Sequence, residues 1–190
     1  MTLQDAVCFW LNYMGILESV STLDAGKLGY RLNVRAPKLD RDLDLTTVGV
    51  GASQVLPILV MALMAQSNTL LIFEQPEIHL HPRVQSMLGD FFLSMGQVGK
   101  RCLIETHSEY LVNQLRNRIV EAKNDEILRL VNIYFVEREG NQSLFKEVQI
   151  DEYGAILNWP TGFFDEGTVQ TESIIRMRTT KRKTRQQQDQ

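Results

Sequence analysis

The stretch FEQPEIHLHP, residues 73–82, decides how this sequence is read. It follows the apolar run TLLI, residues 69–72, and holds Glu74 and Glu77 with Gln75 between them, two histidines and two prolines. A short continuous apolar run predicts a strand covered on both faces, as in a parallel sheet. Glu74 then stands at the carboxyl end of that strand. In open parallel sheets ligands bind at the carboxyl ends of the strands. Residues of this mix are built for chemistry rather than for packing.

Working outward, the same order repeats. Pro82 opens a predicted helix in which Val84, Met87, Leu88, Phe91, Phe92 and Met95 recur at helical spacing, with Gly96 and Gly99 marking its end. RCLIE, residues 101–105, predicts a second short strand, and His107 lies just beyond it. Ser108 is placed to cap a helix through Leu111, Val112, Leu115 and Ile119. Upstream, VGVGASQVLPILVMALMAQ, residues 48–66, predicts a glycine turn leading into a long apolar helix, with Pro57 in or near its first turn. VNIYFVE and LFKEVQI flank REGNQS, a hairpin pattern. Strand, helix, strand, helix, strand predicts an α/β layer with a parallel sheet.

The N-terminal part is less patterned. Leu3, Val7, Trp10, Met14 and Leu17 predict an amphipathic helix over residues 3–17. Residues 28–36 alternate, with Tyr30, Leu32 and Val34 on one side, and predict a half-buried strand. RAPKLDRDLDL, residues 35–45, predicts a loop. These readings divide the chain into residues 1–45, an N-terminal helix and strand; 46–138, an α/β core; 139–172, a hairpin with a small C-terminal domain; and 173–190, a flexible basic tail.

Composition bounds the class. The chain has 190 residues, 44% hydrophobic and 23% charged, as expected of one globular domain with a core. No apolar run approaches the roughly 20 residues needed to span a bilayer. The N-terminus carries an acid and no basic segment, so no secretory signal is expected. Cys8 and Cys102 predict buried thiols in a reducing compartment, and hence the cytoplasm. Net charge is −3, yet the last fifteen residues carry six Lys/Arg against one Asp, leaving −8 for the remainder.

Glu74, His107 and the turn around Gly49 and Gly51 fall where one site can form. A carboxylate suits Mg²⁺, which favours hard oxygen ligands and keeps waters and phosphates around it. A histidine can hydrogen-bond a terminal phosphate. A glycine turn at a helix start can hold an anion. Together they point to nucleotide phosphate chemistry.

LLIFEQPEIHLHP resembles the Walker B and D-loop segment of ABC-class ATPases of the SMC, RecF and OLD group. IETHSEYL resembles their switch-histidine segment, and VGVGASQVLPIL their signature motif. NWPTGFFDE, residues 158–166, is similar to the end of bacterial AAA-family ATPases that finish in a small domain of unknown function.

The resemblance implies the C-terminal lobe of an ABC-type head, with ATP and Mg²⁺ as cofactors. It gives Glu74 the Walker B role of holding Mg²⁺ through water, and His107 a contact with the γ-phosphate. Gly49, Gly51, Ser53 and Gln54 would read the γ-phosphate on the opposite subunit. His79, Leu80 and His81 would form the D-loop at the interface. The implied partners are an N-terminal half carrying the P-loop, a second copy across a nucleotide sandwich, and a nuclease in DNA repair or anti-phage defence.

Two departures stand out. The sequence holds no G-x-x-x-x-G-K-[ST] motif, so it reads as the C-terminal part of a larger ATPase, whether fragment or split polypeptide. Gln75 occupies the position of the water-polarising glutamate, and an amide is a poor general base. It can still orient water, as glutamine does in some GTPases. The alternative is therefore an ATP-gated clamp with little hydrolysis that binds DNA or a partner protein. A third reading makes His79 and His81, with His107 or Glu77, a metal site of a nuclease. The basic tail is either a solvated end or a DNA contact.

Overall fold

A computed structural model describes residues 1–164 and 166–188. The chain forms two compact units, Met1–Val131 with Glu152–Gly154, and Asn132–Asp151 with Ala155–Gln190.

The first unit opens with α1, Leu3–Tyr13. Thr2 and Asp5 form a capping box, each side chain accepting the other's backbone N–H. The helix stops earlier than its apolar spacing predicts, because Gly15 takes φ 69° and turns the chain. Met14 and Leu17 still reach the core, from a turn instead of a helix face. An antiparallel sheet follows, made of β1, Ser19–Asp24, β2, Tyr30–Arg35, and β3, Leu43–Asp44. Val34 is buried opposite Val20. Tyr30 is exposed, contrary to the alternation, because the β1–β2 pair runs beyond the core and its neighbour Leu23 is exposed as well.

Next comes α2, Val50–Met64, capped by Gly49. It starts within the expected glycine turn, so Pro57 lies eight residues in rather than in the first turn. There it removes the N–H that would bond the Ser53 carbonyl. The far end of α2 is closed by Lys100, whose ammonium donates to the Ala62 and Leu63 carbonyls at 2.7 and 3.1 Å.

The α/β layer is β4, Leu70–Glu74; α3, Pro82–Gln97; β5, Arg101–Glu105; and α4, Glu109–Glu121. A short α5, Glu126–Leu130, closes the unit. β4 and β5 pair in parallel, from Leu70 with Arg101 to Glu74 with Glu105. Only one face of this pair is covered. Leu71 and Phe73 are buried, Phe73 against Phe92 of α3, while Leu70, Ile72 and Leu103 are 53%, 60% and 58% exposed. The strand covered on both faces is therefore corrected: in this chain helices reach one side of the sheet. The core below it is built from Leu11, Leu17, Val34, Val55, Leu59, Leu88 and Phe91, all fully buried. Each such side chain contributes about 1.5–3 kcal/mol of burial.

Asp90 ties three helices together. Its carboxylate accepts from the Arg118 guanidinium at 2.7 and 2.9 Å, from the Tyr13 hydroxyl at 2.6 Å and from the Gln114 amide at 3.0 Å. Burial alone would raise the Asp90 carboxyl, but these donors outweigh it and hold it below the usual carboxylate range. Cys8 and Cys102 are free, half-buried thiols, and burial pushes the Cys102 thiol up.

The second unit holds a hairpin of β6, Ile133–Glu139, and β7, Gln142–Val148. Its two-residue turn uses Gly140 at φ 60°, the left-handed conformation that such turns favour. Phe163 is buried among Phe135, Trp159 and Phe164, and the Trp159 indole donates to the Phe163 carbonyl at 2.7 Å. Helix α6, Glu166–Gln188, takes in the described part of the expected flexible tail, residues 173–188, with Glu172 and Arg176 paired one turn apart. Its run of Arg, Lys and Gln residues favours helix and offsets the lack of an apolar face. Asp165 and residues 189–190 lie outside the described residues. Among the described residues, no helix is long and apolar enough to cross a membrane.

Candidate nucleotide site

The parallel pair sets the frame. Glu74 and Glu105 end β4 and β5 in the same register, so two carboxylates leave the sheet side by side. The ladder continues for one more bond, from the Gln75 N–H to the Glu105 carbonyl at 2.9 Å. Gln75 then takes φ 44°, an uncommon conformation for a residue with a side chain. Its side-chain amide donates to Glu105 Oε1 at 3.4 Å. Backbone strain of this kind costs about 1–3 kcal/mol and clusters at functional sites.

After Gln75 the chain folds into a tight turn. The Ile78 N–H donates to the Gln75 carbonyl and the Leu80 N–H to the Glu77 carbonyl. His79 is again left-handed, at φ 63°. His81 caps α3, its Nδ1 accepting the Arg83 N–H at 3.2 Å. That use takes His81 away from the H-x-H metal reading. Among the described residues no cluster of three His, Cys, Asp or Glu side chains is arranged to hold a metal by protein ligands alone.

Gly51 packs against this turn. A Cβ there would meet Leu80 Cδ2 at 3.2 Å and the His79 carbonyl at 3.9 Å. Gly49, Gly51, Ser53 and Gln54 all lie in the cap and first turns of α2. The start of α2 and the turn carrying His79 and Leu80 are thus neighbours. On the other side, His107 follows β5 by two residues and is exposed. Its backbone N–H donates to Glu77 Oε1 at 2.7 Å. Ser108 is buried and caps α4 through the Leu111 N–H at 3.1 Å.

Sequence reading names Glu74, Gln75, His107 and the glycine turn, and the fold puts Glu74, Gln75 and the His107 segment at one end of one sheet. It passes over Glu105, Gln85 and Ser108 as parts of the site. The ETHS tetrad was the available signal: an acid two residues before a histidine, at a strand end. Two adjacent carboxylates at a strand end are hard oxygen donors, which fits Mg²⁺.

A sequence model of the AAA ATPase domain family matches residues 13–112, more than half of the chain. A second, for a protein family of unknown function, DUF3696, matches residues 129–174. No curated protein matches. Among solved structures, the chain is similar to one from work on ATP-driven dimerization and DNA-stimulated activation of SMC ATPases. Identity is 9%, coverage is 77% of this chain and 83% of that one, and the TM-score is 0.59. It is also similar to an Smc head bound to the C-terminal winged-helix domain of ScpA, with 8% identity, 79% and 43% coverage and a TM-score of 0.58. A third is an Smc head with an extended coiled coil bound to the C-terminal domain of ScpA, from Pyrococcus furiosus. It has 9% identity, 92% and 37% coverage and a TM-score of 0.52. The chain thus spans less than half the length of the latter two, and at these identities the likeness is one of fold.

The match over residues 13–112 takes in the start of α2, Glu74, the turn after it and His107, and a domain of unknown function follows. The chain belongs to the AAA ATPase domain family, carries a DUF3696 segment after that domain, and shares its fold with SMC ATPase heads.

Proposed function

We propose that this chain supplies one half of an ATP site and one face of a second. Glu74 organises the waters around magnesium, and His107 contacts the γ-phosphate. Gly49, Gly51, Ser53 and Gln54 reach the nucleotide held by the opposite subunit, with His79, Leu80 and His81 at the same interface. Magnesium, when bound, supplies positive charge where the phosphates carry negative charge. The observation that carries this reading is the register of Glu74 with Glu105, which brings Gln75 and the His107 segment to one sheet end.

The P-loop comes from another segment or chain, since these 190 residues hold no such motif. The open face of Leu70, Ile72 and Leu103 supports this: a further strand and helix would cover it and complete the sheet. Two assembled copies then enclose two nucleotides, closing on ATP and opening on hydrolysis. The biological setting we assign is cytoplasmic DNA repair or anti-phage defence, with a nuclease as partner. DNA is the activator to try first, as it is for the SMC ATPases of similar fold.

In the assembled ATPase, Glu74→Ala should abolish magnesium-dependent turnover, and His107→Ala should lower kcat more than it raises KM for ATP. Unchanged turnover in folded Glu74→Ala protein would remove Glu74 from the site.

One observation favours a second reading. The Gln75 amide donates to Glu105 at 3.4 Å and is a poor general base. A clamp that closes on ATP and hydrolyses it slowly fits that arrangement. Measuring ATP-driven dimerisation beside phosphate release separates the two.

A further inference from the structure

Two side-chain bridges join the turn after β4 to the segment that carries His107. The first is Glu77, whose Oε1 accepts the His107 backbone N–H at 2.7 Å. Glu77 is only 6% exposed, and its Oε2 is buried with no hydrogen-bond partner among the described residues. The second is Gln85, in the first turn of α3. Its amide N–H donates to the Leu80 carbonyl at 2.9 Å, while its amide oxygen accepts the Ser108 hydroxyl at 2.6 Å. Ser108 is itself buried and fixes the start of α4.

Stability alone does not explain Glu77. A buried carboxylate with one oxygen unsatisfied costs free energy, and an apolar residue of similar size would avoid that cost. What the carboxylate does provide is a directional hold on the peptide of His107. Gln85 likewise uses both ends of its amide, one on the turn and one on the segment beside His107. Each bridge spans more than twenty residues of sequence and links the two segments beyond the last ladder bond, from Gln75 to Glu105.

We propose that Glu77 and Gln85 are positioning residues that couple the His79–His81 turn to the placement of His107. When a second subunit presses on that turn, Leu80 and Glu77 move and carry the His107 segment with them. Assembly thereby sets the distance between His107 and the γ-phosphate. The proposal rests on the ATPase reading given above and adds to it the route by which one subunit tunes the other's site.

Two measurements test it. In the 190-residue chain, Glu77→Ala should speed hydrogen exchange at the His107 amide while the amide of Leu11, in the distant core, stays protected. In the assembled ATPase, Glu77→Ala and Gln85→Met should each lower kcat on the order of 10–100-fold, as a misplacement of about 1 Å does, with KM for ATP changed less than about threefold. Glu77→Gln keeps an oxygen for the His107 N–H and should restore most of the rate. In a His107→Ala background, Glu77→Ala should change kcat less than about twofold, since the group it positions is gone. Unchanged exchange at His107, or an equal loss of kcat in the His107→Ala background, would overturn the proposal. Wild-type turnover that ignores Glu74→Ala would instead sink the ATPase reading, and the exchange result would still decide whether the bridge holds the loop.

Discussion

Gln75 donates its side-chain amide to the Glu105 carboxylate at 3.4 Å, across the ends of two paired parallel strands. The contact makes Gln75 a neutral partner of an acid. If Gln75 stands in for a water-polarising glutamate, Gln75→Glu should raise single-turnover hydrolysis at saturating Mg·ATP. A positioned base is worth on the order of 10²–10⁴-fold. The new carboxylate would also face Glu105, and like charges at that spacing oppose each other. The gain should therefore be larger in the double variant Gln75→Glu/Glu105→Gln than in the single one. Variants that are no faster would show that Gln75 does not occupy a base position.

Asp90 makes a prediction about acid. Its carboxyl is held below the ordinary value, so its contribution is complete above the unfolded carboxyl range, about 3.9, and is lost as pH falls through the lower folded value. Asp90→Asn should cost about 1–3 kcal/mol at neutral pH, because the Arg118 and Tyr13 donors lose a charged acceptor. The cost should begin to shrink below about pH 3.9, where the unfolded carboxyl takes up a proton, and vanish once pH falls through the lower folded value. Urea unfolding of both proteins at pH 7 and under acid conditions measures it. An equal cost at both would mean that the network stabilises through packing and not through charge.

Gly51 is set by its neighbour. A methyl group at this position meets Leu80 Cδ2 at 3.2 Å, so Leu80 must give way by a few tenths of an ångström. Gly51→Ala gains about 0.5–1 kcal/mol of helix preference, and the small shift of Leu80 should leave thermal stability near wild type. Gly51→Val adds branched bulk against Leu80 and the His79 carbonyl. It should impair ATP-driven dimerisation more than it lowers the melting temperature. A valine variant that dimerises normally would separate the start of α2 from the interface.

What the sequence makes legible follows from local pattern. α3 and α4 carry apolar residues at helical spacing between a capping residue and a stop, and both form as read. The hairpin is marked by Gly140 between two runs of alternating character. β1 escapes notice because only Val20 in it is buried, and a mostly exposed strand has no apolar signal. The site divides in the same way. Glu74 and His107 are visible as polar residues ending apolar runs. The hold of Glu77 on His107, and of Gln85 on Ser108, joins residues 30 and 23 positions apart, and no periodicity records such a pair. The open side of the β4–β5 pair is hidden too, since Leu70, Ile72 and Leu103 look like core residues wherever they stand.

Glu74 belongs, in this reading, to a nucleotide site that a separate P-loop completes. Phosphate release is the direct measure, with the 190-residue chain alone and with the same chain joined to a P-loop segment of the same ATPase. The backbone N–H groups and lysine of a P-loop supply much of the phosphate binding. The chain alone should release no phosphate above background. The joined protein should turn over ATP with magnesium and lose that activity in Glu74→Ala. Robust turnover by the isolated chain, or a joined protein whose turnover ignores Glu74→Ala, would contradict it.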